Sequence, residues 1–594
     1  MSNFSVRTAS DGSRVIAAVQ QLGAYPHTVC EDLIRWAAQT PDATFLAERR
    51  AGSWRRLSYG EALARVRSIG AGLLESGASP DSPLGIIADN GIDHALVAFA
   101  AMYVGIPLSP ISTGYATPEA SPARLRELLG TLGADVFFAG SEAIAARIAT
   151  VRDGARIITD LAELVRDGAV ADDAFSRVGP DTVAKIMFTS GSTGTPKGVI
   201  TTNRMLCANQ TMIAIVWPEL AGSPPVAVDW LPWSHVFGGN HNVGIILRNG
   251  GTLYVDEGRP MPGPFEATLR NLREIPPTVF FGVPRGVVLL VEAFRADPAF
   301  ARAFFAKLRL FCSAGASLPD PIRHEIIALA KTYGTDVRIT SSWGTTETAP
   351  FATTAWGSPE PDVDTIGTPA PGLEVKFAPS DGRTEIRVRG PNVTPGYWRN
   401  PEATRGAFDA DGFYKTGDAA QLKDEADPAR GIVFAGRLAE NFKLTSGTWV
   451  NVGALRLALL EQGAPLVEDV VITGHDRDEI GALIFVSRAH AAKLAGTAEA
   501  EHAGIARHPT VRDFVAATLA RHNAAAPASS TRVMRALILP EPPRREAGEI
   551  TDKGTINQRR ALDLRAASVE ALYAGELGPE VLTPALTAVK AGTR

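Results

Sequence analysis

At 594 residues with 45% apolar side chains, the chain is too long for one core and predicts two or three globular domains. A net charge of −5, spread without long runs of either sign, argues against an electrostatic nucleic-acid surface but allows a phosphorylated small molecule held by one cationic loop. Cys30, Cys207 and Cys312 are too scattered for a disulfide framework or a zinc site, and a reducing cytoplasm is the expected home.

The opening "MSNFSVRTASDGSR" has no apolar signal core. The longest apolar run, "ALVAFAAMYVGIPL", is shorter than a membrane span and breaks at Gly105-Ile106-Pro107, so neither secretion nor membrane insertion is expected. From about residue 60, Leu63, Val66, Ile69, Leu73 and Leu74 mark a helical face, followed by a buried strand "LGIIAD", another helix and "IPLSPI". This βαβ rhythm of a parallel sheet continues through "DVFFAG", "ARIITD", "VAKIMFTS", "AVDWLPW", "GTLYVD", "TVFFGVP" and "LRLFCSAG". After about residue 365, short strands with Gly/Pro turns ("EVKFAP", "TEIRVRG", "GPNVTPGYW") predict a small β subdomain. A further change after "GIVFAGRLAENFKL" opens an α+β unit that runs to the end, where "AGTR" carries no peroxisomal or lipidation signal. The fold class is therefore α/β. A large N-terminal domain, 1–436, has parallel α/β sheets over about 30–365 and a β subdomain over about 366–436; a small, mobile α+β domain, 437–594, comes after it.

Within "MFTSGSTGTPKGVI", an apolar strand runs into a loop of glycines, hydroxyls and Lys197, with Thr202 or Asn203 placed to cap a following helix. Glycines let successive N–H groups converge on an anion, and the hydroxyls and ammonium add donors and charge. Lys197 lies between Pro196 and Gly198, which excludes a Walker loop, and Ser190 stands where a nucleophile elbow needs its first glycine. The loop reads as a phosphate cradle that supplies no nucleophile.

Six ordered segments, "FTSGSTGTPKG" (188–198), "SAGASLP" (313–319), "SSWGTTETAP" (341–350), "YKTGDAA" (414–420), "GRLAENFKLTSG" (436–447) and "EITDKGTINQR" (549–559), together resemble the adenylate-forming superfamily of acyl- and aryl-CoA synthetases. The likeness spans residues 30 to 565 and implies ATP, Mg²⁺ and coenzyme A as partners. Activating a carboxylate on the α-phosphate requires neutralised phosphates, a metal and aligned reactants. By resemblance, Thr189, Ser190, Gly191, Ser192, Thr193, Gly194 and Lys197 hold the β- and γ-phosphates, and Glu347 binds Mg²⁺. Asp418 takes the ribose hydroxyls, Arg437 a ribose or phosphate contact, and Trp343, with Gly344, Thr345 and Thr346, stands where the family usually has a tyrosine against adenine. Gly315, Ala316 and Ser317 line the adenine and acyl pockets. Lys553 is the catalytic ammonium, although it precedes Gly554 where many relatives place the lysine after the glycine. Glu440 marks the hinge between two half-reactions, and Lys443 and Gly447 lie on the thiolation face near the pantetheine path. Val452 and Ala454 replace the proline and glutamate common in relatives.

The segment 228–263 and the form D-K-G-x-I-N-Q-R narrow the resemblance to bacterial feruloyl-CoA synthetases, implying a hydroxycinnamate such as ferulate, p-coumarate or caffeate. His235 then borders the carboxylate and α-phosphate, Phe237 and Gly315 the acyl pocket, and Gly238, Gly239 and Gly282 indicate room nearby. His241 is left without a role. A ligase that loads a medium-chain fatty or benzoic acid onto CoA or a carrier protein is the alternative. A carboxylic acid reductase would need a carrier domain and a dinucleotide fold after the terminal motif, where no G-x-G-x-x-G occurs; a non-catalytic binding protein would be expected to lose Lys197, Glu347, Asp418 or Lys553. No nucleic acid or membrane partner is expected, and the sequence leaves monomer and homodimer equally open.

Overall fold

The computed structural model describes residues 3–190, 196–261, 263–334, 336–356, 365–380, 382–497, 502–526, 528–544, 547–550 and 556–584. The chain forms two compact units. The first comprises Met1–Leu318, Ile322–Thr416 and Gln421–Val433, and the second Pro319–Pro321, Gly417–Ala420 and Phe434–Arg594.

Each apolar run of the βαβ rhythm is a strand, distributed over three sheets. One sheet runs Pro196–Thr202, Val183–Ser190, Leu108–Ile111, Leu84–Ile87, Val136–Ala139 and Arg156–Ile158, parallel except for its first pair. A second runs Val226–Asp229, Thr252–Val255, Thr44–Arg50 and Ser53–Ser58. The helix Ile92–Tyr103 (IDHALVAFAAMY) packs on strands of both and is buried almost all round. Its uniform hydrophobicity is thus that of a helix between two layers, and each large apolar side chain it buries contributes about 1.5–3 kcal/mol. No helix among the described residues is long and apolar enough to cross a membrane.

The third sheet begins with three parallel strands, Val279–Gly282, Leu310–Ala314 and Arg338–Trp343. The first two are buried at every position, as parallel strands covered on both faces must be. Their register pairs Gly282 with Ser313 and Ala314 with Ser342, so the turns after them leave from one edge.

The β subdomain also includes the N-terminal segment, which lies before the span of the family likeness at residues 30 to 565. The hairpin Phe4–Thr8/Arg14–Ala18 adds antiparallel to Glu374–Ser380, with Val375 opposite Ile16, and Arg383–Arg389, Tyr414–Leu422 and Ile432–Arg437 complete the sheet. Lys376, 1% exposed, explains the hairpin's seat: its ammonium is 2.8 Å from Asp11, 3.0 Å from Asp409 and 2.8 Å from Asp411. By contrast, "GPNVTPGYW" is not a strand. Its glycines and prolines break ladder pairing, and its backbone is satisfied piecemeal, by an isolated bridge from Tyr397 to Val199 and by the Thr394 N–H donating to the Glu347 carbonyl.

In the second unit, Val467–Thr473, Ile480–Val486, Val533–Ile538 and Val581–Leu582 form a mixed sheet. The strand "IGALIFV" is buried at all seven positions because both faces are covered. Ile480, Ala482, Ile484 and Val486 join one core with the helices Val452–Gly463 and Pro509–Ala525; Leu483 and Phe485 join another with Ile556, Ala561 and Leu572. The replacement of proline by Val452 is used structurally, since the Val452 N–H donates to Asn441 Oδ1 at 3.0 Å while Asn451 Oδ1 caps the same helix through Ala454 N–H at 3.1 Å.

Candidate active site

The glycine- and hydroxyl-rich loop differs from the strand–loop–helix expectation. It joins an antiparallel hairpin in which Thr189 faces Lys197 and Phe188 faces Gly198, and the helix Asn203–Val216 starts only after the second strand. Thr202 caps it, accepting from the Met205 N–H at 3.3 Å. The helix N-terminus therefore does not serve the loop, and Lys197, Thr189 and the loop's own N–H groups are its resources. Gly191, Ser192, Thr193 and Gly194 lie outside the described residues.

The tertiary structure adds two tyrosines that the motifs did not single out. Lys197 Nζ lies 5.4 Å from the centre of the Tyr397 ring, a cation–π distance. The Tyr397 hydroxyl donates to Glu347 Oε1 at 3.0 Å and lies 3.2 Å from the Tyr414 hydroxyl. Glu347, 9% exposed, thus stands in one cluster with an ammonium and two phenols. Burial pushes both tyrosines far above the usual phenol range, with the Glu347 charge adding to it, so they remain neutral donors.

The Glu347 turn is tightly held. Thr346–Thr348 is a single 3₁₀ turn, and Ala349 after it adopts φ 71°, a conformation costing an alanine on the order of 1 kcal/mol. The buried amides of Asn209 and Asn392 each donate to the carbonyls of Thr348 and Phe351, at 3.3 and 2.7 Å and at 3.1 and 2.8 Å. Gly344 is required by close approach, because a Cβ there would lie 1.7 Å from the Pro350 carbonyl oxygen. Among the described residues no cluster of three or more His, Cys, Asp or Glu could hold a metal. A single carboxylate fits Mg²⁺, which commonly uses one or two carboxylates together with substrate phosphates.

Trp343 ends the strand Arg338–Trp343, and Gly315, Ala316 and Ser317 form the exposed turn after the neighbouring strand Leu310–Ala314, with Gly315 at φ 90°. The parallel register places this turn beside Trp343–Thr346 at the carboxyl edge of the sheet, the usual ligand edge of an open α/β sheet. His235 is half-buried, and its Nδ1 accepts the Phe237 N–H at 3.1 Å, which leaves the ring proton on Nε2. Phe237 is buried and opens a π-helical turn, Phe237–Asn242, of the kind often found at functional sites. The glycines read as room are in fact filled: a Cβ at Gly238 would lie 2.4 Å from the Leu231 carbonyl oxygen, at Gly239 2.3 Å from that of Trp233, and at Gly282 2.9 Å from the Phe280 ring. They let backbone and ring approach closely and provide no space for a substrate.

In the second unit, Asp418 is buried and its Oδ1 lies 3.5 Å from Nε of the exposed Arg437. Glu440 is exposed in the turn after Arg437, bonded only through its backbone N–H to the Arg437 carbonyl among the hydrogen bonds described. Lys443 stands across from Trp449, its ammonium 4.9 Å from the indole centre, and Gly447 turns the intervening loop at φ 79°. Lys553 lies outside the described residues. The chain on either side of 551–555 is firmly placed: Ile550 and Ile556 form an antiparallel bridge, and the Glu549 carboxylate accepts from Arg565 Nε at 2.8 Å and Nη2 at 3.0 Å. The three cysteines are free and buried.

Two family models match this chain, "AMP-binding enzyme" over residues 33–398 and "AMP-binding enzyme C-terminal domain" over 441–577. A malonate–CoA ligase of Arabidopsis thaliana is 29% identical over 336 residues, covering 52% of this chain; the chain spans only about half, 51%, of that relative's length. A feruloyl-CoA synthase of an Amycolatopsis species is 28% identical over 68% of this chain and 76% of its own. Among solved structures, the adenylation domain of a carboxylate reductase from Mycobacterium chelonae superposes with a TM-score of 0.70 over 93% of this chain and 92% of that one, at 20% identity. That likeness establishes the fold, an α/β adenylate-forming architecture with a large N-terminal and a smaller C-terminal domain.

Proposed function

We propose, from the premise that this chain belongs to the AMP-binding enzyme family, that it is an ATP-dependent acid–CoA ligase acting through an acyl-adenylate, with a hydroxycinnamate as the acid. The observation that carries the ligase reading is the cluster in which Glu347 and the Lys197 ammonium share Tyr397 beside the glycine- and hydroxyl-rich hairpin. One carboxylate and one ammonium next to a loop of N–H donors is what a metal-bound triphosphate requires. When bound at Glu347, Mg²⁺ supplies neutralisation of phosphate charge.

The chain's own groups divide the remaining work. The loop Thr189–Lys197 holds the departing pyrophosphate, and the Nε2 proton of His235 faces the carboxylate and α-phosphate oxygens. Lys553 adds an ammonium to the same developing charge. Trp343, Gly344, Thr345, Thr346 and the turn Gly315–Ser317 take the adenine, Asp418 and Arg437 the ribose, and Phe237 walls the aryl group. Lys443 and Gly447 lie on the thiolation face, with Glu440 as the hinge. The 28% identity to a feruloyl-CoA synthase supports the acid, as do the aromatic side chains around His241.

The test is a thioester assay with ATP, Mg²⁺ and CoA over ferulate, p-coumarate, benzoate and medium-chain fatty acids, scoring AMP and acyl-CoA together. CoA thioesters from the hydroxycinnamates alone are expected. AMP without a CoA thioester would turn the reading into a ligase that loads a carrier protein, and preference for alkyl acids would overturn the aryl assignment.

A further inference from the structure

His241 is 1% exposed and sits in a cage of rings: Phe237 and Phe281 at 5.2 Å between centroids, Trp217 at 5.7 Å and Phe351 at 6.3 Å. Its two nitrogens are in opposite circumstances. Nδ1 lies 2.8 Å from Asn242 Oδ1, while Asn242 Nδ2 donates to Asp229 Oδ2 at 2.9 Å and Asp229 Oδ1 accepts the Leu231 N–H at 3.1 Å. The carboxylate orients the amide, and the amide oxygen in turn fixes the imidazole proton on Nδ1. Nε2 is therefore a bare lone pair, buried and without a hydrogen-bond partner among the described residues. The Nε1–H of Trp217, wholly buried in the ring next to it, is likewise without one.

A buried acceptor and a buried donor on touching rings, both unsatisfied by the protein, are costly unless a water or a ligand group that displaces it supplies the complement. A neutral hydroxyl carries both complements in one group, a proton for Nε2 and a lone pair for the indole N–H. A carboxylate has no proton for Nε2, an ammonium nothing for the indole, and an alkyl or plain aryl end leaves both open. The cage also shares Phe237 and the His235 turn with the acyl end of the proposed site.

We infer that His241 and Trp217 form a recognition point for a ring hydroxyl on the distal end of the acid, with Asn242 and Asp229 as positioning residues that hold the imidazole as an acceptor. This rests on the aryl-acid reading above and goes beyond it, because it assigns selectivity between acids that differ only in one hydroxyl. Sites built to hydrogen-bond a hydroxyl reject the analogue lacking it far more strongly than apolar pockets discriminate by size.

The experiment measures kcat/KM for p-coumarate and for cinnamate, its analogue without the hydroxyl, in the full-length protein. The unaltered enzyme is expected to favour p-coumarate at least tenfold. His241→Phe keeps an aromatic ring without the acceptor and is expected to lose p-coumarate activity tenfold or more while cinnamate changes less than twofold. Trp217→Phe, which removes the indole N–H together with part of the ring, alters the point from its other side and is expected to lower the same ratio, the lost ring volume affecting both acids alike. Asn242→Leu is expected to lower it too, a change in preference that a merely structural role would not produce. Equal use of both acids by the unaltered enzyme, or equal loss of both in the variants, overturns the inference while leaving the aryl-acid ligase standing. Activation of alkyl acids with neither aryl acid used overturns the aryl reading and this inference with it.

Discussion

The Glu549–Arg565 pair offers the most direct quantitative test of how the second unit presents its terminal motif. Glu549 has no exposed surface and Arg565 is 6% exposed; the guanidinium makes two bonds to the carboxylate, and the Arg544 N–H adds a third at 2.8 Å. Burial alone would push the Glu549 carboxyl up, but Arg565 and the Arg544 N–H outweigh it and hold it below the usual carboxylate range. Arg565→Ala leaves a buried carboxylate with one donor, and breaking a buried pair from one side costs about 3–5 kcal/mol. At 1.36 kcal/mol per tenfold, that corresponds to roughly 150- to 5,000-fold faster hydrogen exchange in the strand Ile480–Val486, where exchange reports opening of the unit. Replacing both partners, Glu549→Leu with Arg565→Met, removes the stranded charge and is expected to recover more than half of the loss. Acceleration below tenfold in the single variant, or a double variant as unstable as the single, would refute the reasoning. The folded pKa is depressed, so this stabilisation is present above the unfolded value of about 4.3 and is lost as pH falls through the folded one.

Three further outcomes are expected. Lys553→Ala should lower acyl-adenylate formation by about 100-fold or more while sparing thiolation of pre-formed adenylate, the scale of losing one charge-stabilising donor; equal loss in both steps, measured by pyrophosphate exchange and by single-turnover transfer, would contradict its role. Glu347→Gln should raise the Mg²⁺ concentration for half-maximal adenylation at least tenfold, and an unchanged magnesium titration would remove the metal from this residue. Finally, Asp11 is held low chiefly by its bond to Lys376, as is Asp411; at Asp409 burial pushes upward, but the Phe413 N–H and Lys376 outweigh it. With all three depressed, the N-terminal hairpin should be protected at pH 7 and lose protection below about pH 3.9, read by hydrogen exchange corrected for intrinsic rates. Lys376→Met should abolish most of that pH dependence, and an unaltered dependence would show that the hairpin is held by other means.

Local chemistry was enough to reveal the buried strands of the α/β body and most motifs. Runs such as "VFFG" and "LFCSA" are unambiguous because strands buried on both faces carry no polar positions, and the capping threonine and the glycine- and hydroxyl-rich loop carry their geometry in adjacent residues. The conformation of the segment after the loop was not legible: "PKGVITT" becomes a strand because it pairs with Val183–Ser190 and bridges to Tyr397, a partner about two hundred positions away. The same holds for the room expected at Gly238, Gly239 and Gly282, since a glycine looks alike in sequence whether it makes space or lets a carbonyl or ring approach.

The sequence by itself determined the α/β class, the order of the chemical motifs and the family they point to, because each depends on residues close together along the chain. Only the tertiary structure decided that Tyr397 and Tyr414 join Lys197 and Glu347, that Lys376 binds the N-terminal hairpin to the β subdomain, and that Asp229 acts through Asn242 to leave His241 a bare acceptor. Those associations bring together groups distant in sequence, or set the state of a side chain by its burial, and neither distance in space nor loss of solvent is written in the local order of residues.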